Sequence, residues 1–175
     1  MNFEAMTMKE AGEKTVRVDD EIRNRLGSVI SADGDNYVCY SKYGDMFVVT
    51  KGLYTGYSDS EDLYLNEIYF QERLAEDGLA PRILAKDLLR QRKGREFKEW
   101  ISEDAGLPVG QSDIPAVNAY LDVLYDKGII LYPYTIHHSL FVKGFDGKIR
   151  ATDFKQTEDC GESLGKHNRR YLAPW

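Results

Sequence analysis

Along the chain, apolar positions recur first with the period of a strand and then with that of a helix. Tyr37-Val-Cys-Tyr40 and Met46-Phe-Val-Val-Thr-Lys51 are β-branched and aromatic runs joined by Lys42-Tyr43-Gly44-Asp45, the pattern of a hairpin. Strand parity puts Phe47, Val49 and Lys51 on one face, so Lys51 is either an edge charge or a residue aimed into a cleft. Ser58-Asp-Ser-Glu61 then offers a capping box, and Leu63, Phe70 and Leu74 continue at helical spacing. Glu67 falls on that apolar stripe. Burying an isolated carboxylate is costly, so Glu67 must be paired with a cation or stand where the helix meets water, and Lys51 on the preceding strand is the natural partner.

Asp77-Gly78 stops this helix, and Leu79-Ala-Pro-Arg-Ile-Leu84 starts the next strand, with Pro81 setting an extended entry. Arg92-Lys93-Gly94 is turn-like and precedes a further strand, Glu96 to Ile101. Ser102 to Gly106 breaks that strand, and Leu107-Pro108-Val109-Gly110 reads as a linker between lobes. In the second helix, Ser112 or Asp113 is the cap and Pro115 lies in the first turn. Ile114, Val117, Leu121 and Leu124 form its buried stripe, and Gly128 ends it. Beyond it, Ser139 to Val142 and Ile149 to Thr152 flank the turn Phe145-Asp146-Gly147-Lys148, a short hairpin that leads to Asp153. At the other end, residues 1–14 are polar and aperiodic and read as a flexible arm. From Thr15 on, Val16 and Val18 alternate with charges, and Ile22, Leu26, Val29 and Ile30 suggest a short helix or strand leading inward.

Composition narrows the classes of function. With 175 residues, 42% of them hydrophobic, the chain can form one domain or two small lobes around an ordinary core. A net charge of -6 argues against binding to nucleic acid or to an anionic membrane, both of which call for a basic surface. Cys39 and Cys160 make no metal or disulfide framework by spacing and read as plain thiols. The start of the chain has neither the basic region nor the apolar run of a signal peptide, so the simple expectation is a cytoplasmic protein; secretion without a cleaved signal would look the same. The tail Lys166 to Trp175 is basic and aromatic, suited to packing on the last helix or to anchoring a protein partner.

In this order the elements resemble a protein-kinase-like fold from about Val29 to Phe154. Phe47-Val-Val-Thr-Lys51 is similar to the strand that ends in the phosphate-binding lysine, and Asn66-Glu67-Ile-Tyr-Phe-Gln-Glu-Arg-Leu74 with Gly78 to Leu84 is similar to the helix that carries its glutamate partner. Trp100-Ile-Ser-Glu-Asp-Ala-Gly106 resembles the hinge, and Asp153-Phe154 the metal-binding pair that follows the hairpin. The resemblance implies an α+β, minimal bilobal architecture: an antiparallel-sheet N-lobe with one helix over 15–106 and a truncated, mostly helical C-lobe over 107–175. It further implies ATP and magnesium as cofactors. Lys51 would serve the phosphates, Glu67 would hold Lys51, backbone groups near Glu103 and Ala105 would meet adenine, and Asp153 would ligate magnesium.

The chain departs from the family where phosphoryl transfer is performed. Counted from Gly128-Ile-Ile130, the catalytic aspartate position falls at about Pro133 and the second metal ligand at about His138, and no Asp or Glu occurs between Asp126 and Asp146. His137 or His138 can ligate a metal or accept a proton, although loop histidines are more often surface or packing residues. The glycine-rich loop Ser31 to Val38 keeps only Gly34, with Asp33 and Asp35 beside it, and Lys155 stands where the metal motif has glycine, either neutralising phosphate or pairing with Asp153. Only 22 residues follow Asp153, too few for an activation segment and a substrate-docking helical region. The expectation is a pseudokinase-type, nucleotide-binding or regulatory module with weak or absent phosphotransfer and a protein partner. The alternatives are an active, atypical minimal kinase, similar to those bacteria deliver into host cells, and an α+β interaction domain without nucleotide.

Overall fold

The computed structural model describes residues 29–32, 36–43, 46–104, 106–131, 136–144, 146–165 and 168–173. The expected arm over 1–14, the apolar lead-in up to Leu26 and the loop glycine Gly34 lie outside the described residues. The fold is α+β, with antiparallel sheets and, among the described residues, two α-helices. The chain divides into two compact units, Met1–Glu61 with Ile83–Asp104 and Asp62–Arg82 with Ala105–Trp175.

Among the described residues, the first unit is one five-stranded sheet. Its strands are β1 (Val29–Ala32), β2 (Asn36–Tyr43), β3 (Met46–Tyr54), β4 (Ile83–Arg92) and β5 (Arg95–Glu103), arranged β1-β2-β3-β5-β4. The expected hairpin is β2–β3, in register from Asn36↔Leu53 to Tyr43↔Met46. Strand β5 runs to Glu103 rather than breaking at Ser102, because Ser102 and Glu103 still find ladder partners in Val49 and Val48. Strand β4 begins at Ile83 rather than Leu79. Gly78 takes a left-handed φ of 71°, and the Leu79 amide turns back to the Leu74 carbonyl at 2.9 Å, which holds Leu79 in the helix stop. On one sheet face Tyr37, Cys39 and Phe97 pack as a small core, with the Tyr37 and Phe97 rings edge to face at 5.1 Å.

Helix α1 (Ser60–Glu76) links the units, Ser60 and Glu61 counting with the first and the remainder with the second. It starts two residues later than the expected Ser58 cap. The Ser60 hydroxyl donates to the Tyr54 carbonyl (2.7 Å) and accepts from the Tyr57 amide (3.2 Å), which ties the helix start to the turn before it. Glu61 is engaged by Lys98 of β5 at 2.7 Å instead of completing a box.

The second unit is built around α2 (Ile114–Asp126), with Val117, Leu121 and Leu124 wholly buried among Phe70, Leu74, Phe141, Phe154 and Leu172. Each such side chain contributes about 1.5–3 kcal/mol by leaving water. Leu107-Pro108 is no free linker: as β6 it pairs with β8 (Phe141–Lys143), which pairs in turn with β9 (Ile149–Ala151) as the sequence predicts. Gly106 is required just before β6, since at φ 120° an added Cβ would lie 2.0 Å from the Lys143 carbonyl oxygen. Two-residue strands β7 (Ile129–Ile130) and β10 (Glu158–Asp159) close the unit.

Of the two uses open to the tail, residues 168–173 take the packing one. Arg169 reaches Asp122 at 2.8 Å and also bonds Asp126, the Asn118 amide exchanges two bonds with the Leu172 backbone, and Leu172 enters the core. No helix among the described residues is long and apolar enough to cross a membrane.

Candidate functional site

In the second unit the residues that chemistry singles out gather where α1 meets the segment after β9. Glu67 is 1% exposed, and its Oε2 accepts the Phe154 amide proton at 2.6 Å. A charge-assisted bond of this kind is worth about 1.5–3 kcal/mol and answers the cost of burying the carboxylate. Beside it, Asn66 Nδ2 donates to the carbonyls of Phe154 (3.2 Å), Lys155 (3.0 Å) and Thr157 (3.0 Å). One side-chain amide thus serves three carbonyls within four residues of backbone. Phe154 itself is fully buried in the core, and Thr157 Oγ1 donates to the Leu131 carbonyl at 3.3 Å. The segment from Phe154 to Thr157 is therefore fixed from α1 on one side and from the end of β7 on the other.

Asp153 stands at the edge of this fixed segment with its side chain 29% exposed. Oδ1 accepts from the Lys155 amide at 3.3 Å, and Oδ2 lies 3.6 Å from the Lys155 ammonium. Of the two roles open to Lys155, pairing with Asp153 is the one adopted. A solvent-reached pair of this length is worth under about 1 kcal/mol, so the carboxylate is held lightly. A carboxylate this accessible and this lightly paired could offer an oxygen to a magnesium ion that takes most of its ligands from phosphate and water.

His138 lies in a 3-10 turn, His138–Leu140, that enters β8, and the Thr152 amide donates to the Leu140 carbonyl at 2.9 Å. The hairpin thus brings the His138 turn and Asp153 to the same open end. His137 Nδ1 is 2.9 Å from Ser139 Oγ and accepts from the Ser139 amide, and the two imidazoles stack at 4.2 Å. His137 is committed to capping this turn. Among the described residues no three His, Cys, Asp or Glu side chains cluster as a metal centre. Pro133, near which the resemblance would place the catalytic aspartate, lies outside the described residues.

The other predicted residues belong to the first unit. Lys51 is half-buried on β3, opposite Val38 on one side and Trp100 on the other, with its ammonium 5.5 Å from the Trp100 ring centre. Glu103 is half-buried at the end of β5, opposite Val48. Ala105 lies outside the described residues. Glu67 and Asp153 are therefore brought together within one unit, and Lys51 and Glu103 share the other.

Sequence reasoning gave Asn66 no role; its signal was its place beside a glutamate already marked by the apolar stripe. Glu99 was also missed. It is 1% exposed on β5 between Phe97 and Ile101, and the period of two puts it among apolar residues. Glu99 Oε2 accepts from Arg90 Nε at 3.1 Å. Two effects oppose at this carboxyl. Burial raises it, to about 7, while the guanidinium favours the charged form. Arg90 is 54% exposed and screened by water, so burial wins.

No family model matches the chain, and a comparison with curated proteins finds no similar sequence.

Proposed function

We propose that the chain is a minimal protein-kinase-like, bilobal protein that binds ATP with magnesium and acts as a pseudokinase-type binding or regulatory module with weak or absent phosphotransfer. The observation that carries this reading is the bond from the Phe154 amide to Glu67, with Asn66 gripping the backbone beyond it. The helix glutamate and the Asp-Phe pair, matched independently in the resemblance, meet in one buried arrangement. It gives Asp153 a fixed backbone while leaving its carboxylate open to solvent, as a metal ligand requires. Further support comes from the first unit, where Lys51 lies on the central strand of an antiparallel sheet and Glu103 ends the neighbouring strand.

In this reading the Lys51 ammonium supplies positive charge to phosphate, and Asp153 supplies a carboxylate to magnesium; bound magnesium would neutralise phosphate charge. Glu67 acts as a positioning residue through the Phe154 amide. Proton removal from an acceptor hydroxyl has no carboxylate to perform it between Asp126 and Asp146, and for that reason binding is favoured over transfer.

Titration of the full chain with a fluorescent ATP analogue, with and without magnesium, tests the proposal. Binding is expected to require magnesium and to weaken at least tenfold in both Lys51→Ala and Asp153→Ala. Equal binding in all three proteins would refute the site. In the same preparations, transfer of labelled γ-phosphate that disappears in Asp153→Ala would make the protein an active kinase. Absence of nucleotide binding would leave the interaction-domain reading.

A further inference from the structure

Strand β4 is an edge of the five-stranded sheet and, among the described strands, pairs with β5 alone. Its first half carries features that keep a sheet edge from pairing. The register slips between Ile83 and Ala85 and again between Ala85 and Leu88, and Asp87 takes a left-handed φ of 58°. From Leu88 to Arg92 the ladder is unbroken, Leu88↔Glu99 through Arg92↔Arg95. The backbone groups of this run that point away from β5 make no hydrogen bond among the described residues. A regular stretch of roughly 17 Å is therefore open to an added strand, and Leu89 within it is 67% exposed.

Residues directly opposite in the ladder share a face, so Arg90 stands with Phe97 and Arg92 with Arg95, while Leu89 and Gln91 take the other face. Arg90 donates through Nε to Glu99 Oε2 at 3.1 Å, and its terminal nitrogens make no hydrogen bond among the described residues. Arg92 lies over the Tyr37 ring at 4.0 Å, and its guanidinium likewise makes no hydrogen bond among the described residues. Each guanidinium is oriented by a contact within the sheet while donors that match a carboxylate stay unused. From Arg90 to Arg95 the chain carries four cations and no carboxylate, against a net charge of -6 for the whole. A second copy of the chain does not fit this edge. In a symmetric antiparallel pair of β4 strands, a register centred on Leu88 sets Arg90 against Lys86, and one centred on Leu89 sets Arg92 against Lys86. Centring on Gln91 sets Arg90 against Arg92, and centring on either arginine sets it against itself.

We propose that the outer edge of Leu88–Arg92 is a docking site for an extended, acidic segment of a partner protein, which adds to the sheet as a further strand. Its backbone pairs with the open N–H and C=O groups of β4. Acidic side chains at every second position lie beside Arg90 and Arg92, and an apolar side chain between them lies against Leu89. The backbone bonds hold any extended chain, and the arginines select, because a basic strand or a second β4 meets like charge there. The site lies wholly within the first unit and does not depend on nucleotide binding.

Fluorescence anisotropy of the full chain with a labelled peptide of alternating aspartate and valine tests it. Two further peptides serve as comparisons, one with lysine in place of aspartate and one with every backbone nitrogen methylated. The aspartate peptide is expected to bind about tenfold or more tightly than either, to lose about tenfold in Arg92→Glu and to lose about threefold in Leu89→Ser. In NMR of the same complex, amide exchange is expected to slow at alternate residues from Leu88 to Arg92. No binding of the aspartate peptide at millimolar concentration, equal binding of the lysine or the methylated peptide, or an unchanged Kd in Arg92→Glu would each overturn the proposal. Tighter binding of a single-stranded oligothymidylate would assign the arginines to a phosphate backbone, and self-association that the peptide competes away would make the edge a contact between copies; both would overturn it. The peptide comparisons use the natural chain, so they stand if a variant does not fold.

Discussion

Glu67 and Glu99 are equally buried, each 1% exposed, yet the two units meet the cost of an interior carboxylate in opposite ways. In the second unit Glu67 receives a backbone N–H at 2.6 Å, and the donor belongs to the segment that follows Asp153. In the first unit Glu99 is served on one oxygen only, by an exposed arginine, and the other oxygen faces the interior unmet. A buried anion with an in-place donor organises the backbone around it. One with an orphan oxygen is raised toward neutrality. The same residue type on an apolar stripe thus serves as a positioning device in one unit and as a titrating one in the other.

The sharpest way to break the contrast is Glu67→Ala. It strands the Phe154 amide and opens a void, and is expected to destabilise the second unit by about 3 kcal/mol in urea denaturation. Glu67→Gln, whose amide oxygen can still accept, should cost roughly half of that. A loss of only a few tenths in the alanine variant would show that the bond organises nothing. Next in size is Gly52→Ala. Its Cβ would displace the Tyr37 ring, an overpacking expected to cost about 2 kcal/mol and to raise amide exchange along β2 and β3. An unchanged Tyr37 environment would remove the ring from the slot. Asn66→Ala releases three carbonyls from one donor and should cost about 1.5 kcal/mol, with faster exchange confined to residues near Thr157.

The pH response of Glu99 comes after these. Its carboxyl is raised from 4.5 in the unfolded chain to about 7 in the fold, so the folded protein holds a proton that the unfolded chain has released. The resulting stability is full below about pH 4.5 and is lost as pH rises through about 7. We expect a fall of about 1 kcal/mol across that window, well below what the full shift would carry, because Arg90 and nearby water screen the anion. Stability that rises with pH across the window would reverse the assignment.

Much of this was legible from periodicity. Glu67 declared itself by falling between Leu63 and Phe70, and the hairpin ending at Asp153 by its Asp146-Gly147 turn. The partner that holds Glu67 within its own unit, however, is a backbone amide 87 residues away, and no side-chain pattern marks an amide. Glu99 was hidden for a related reason. In the strand Glu96-Phe-Lys-Glu-Trp charged and apolar residues fall on both faces, so alternation alone does not show that the face bearing Glu99 is buried. The pairing of Leu107-Pro108 with β8 was not legible because two residues are too few for a periodic signal, and the pairing is a tertiary fact. The tail's place along α2 likewise depends on Asp122 and Asp126 standing one helical turn apart to receive Arg169.

Asp153→Ala has the smallest expected effect on the fold, under about 0.5 kcal/mol, since only its light pairing with Lys155 is lost. That makes it the cleanest probe of function. Thermal unfolding of the full chain and of Asp153→Ala, each with and without ATP and magnesium, tests the central claim most directly. A ligand that binds only the folded state adds about 2.7 kcal/mol at a hundredfold excess over Kd. The account predicts an upward shift in Tm for the natural chain that is lost in Asp153→Ala, the two proteins unfolding together without ligand. No shift in either protein at millimolar ATP, or the same shift in both, would contradict it.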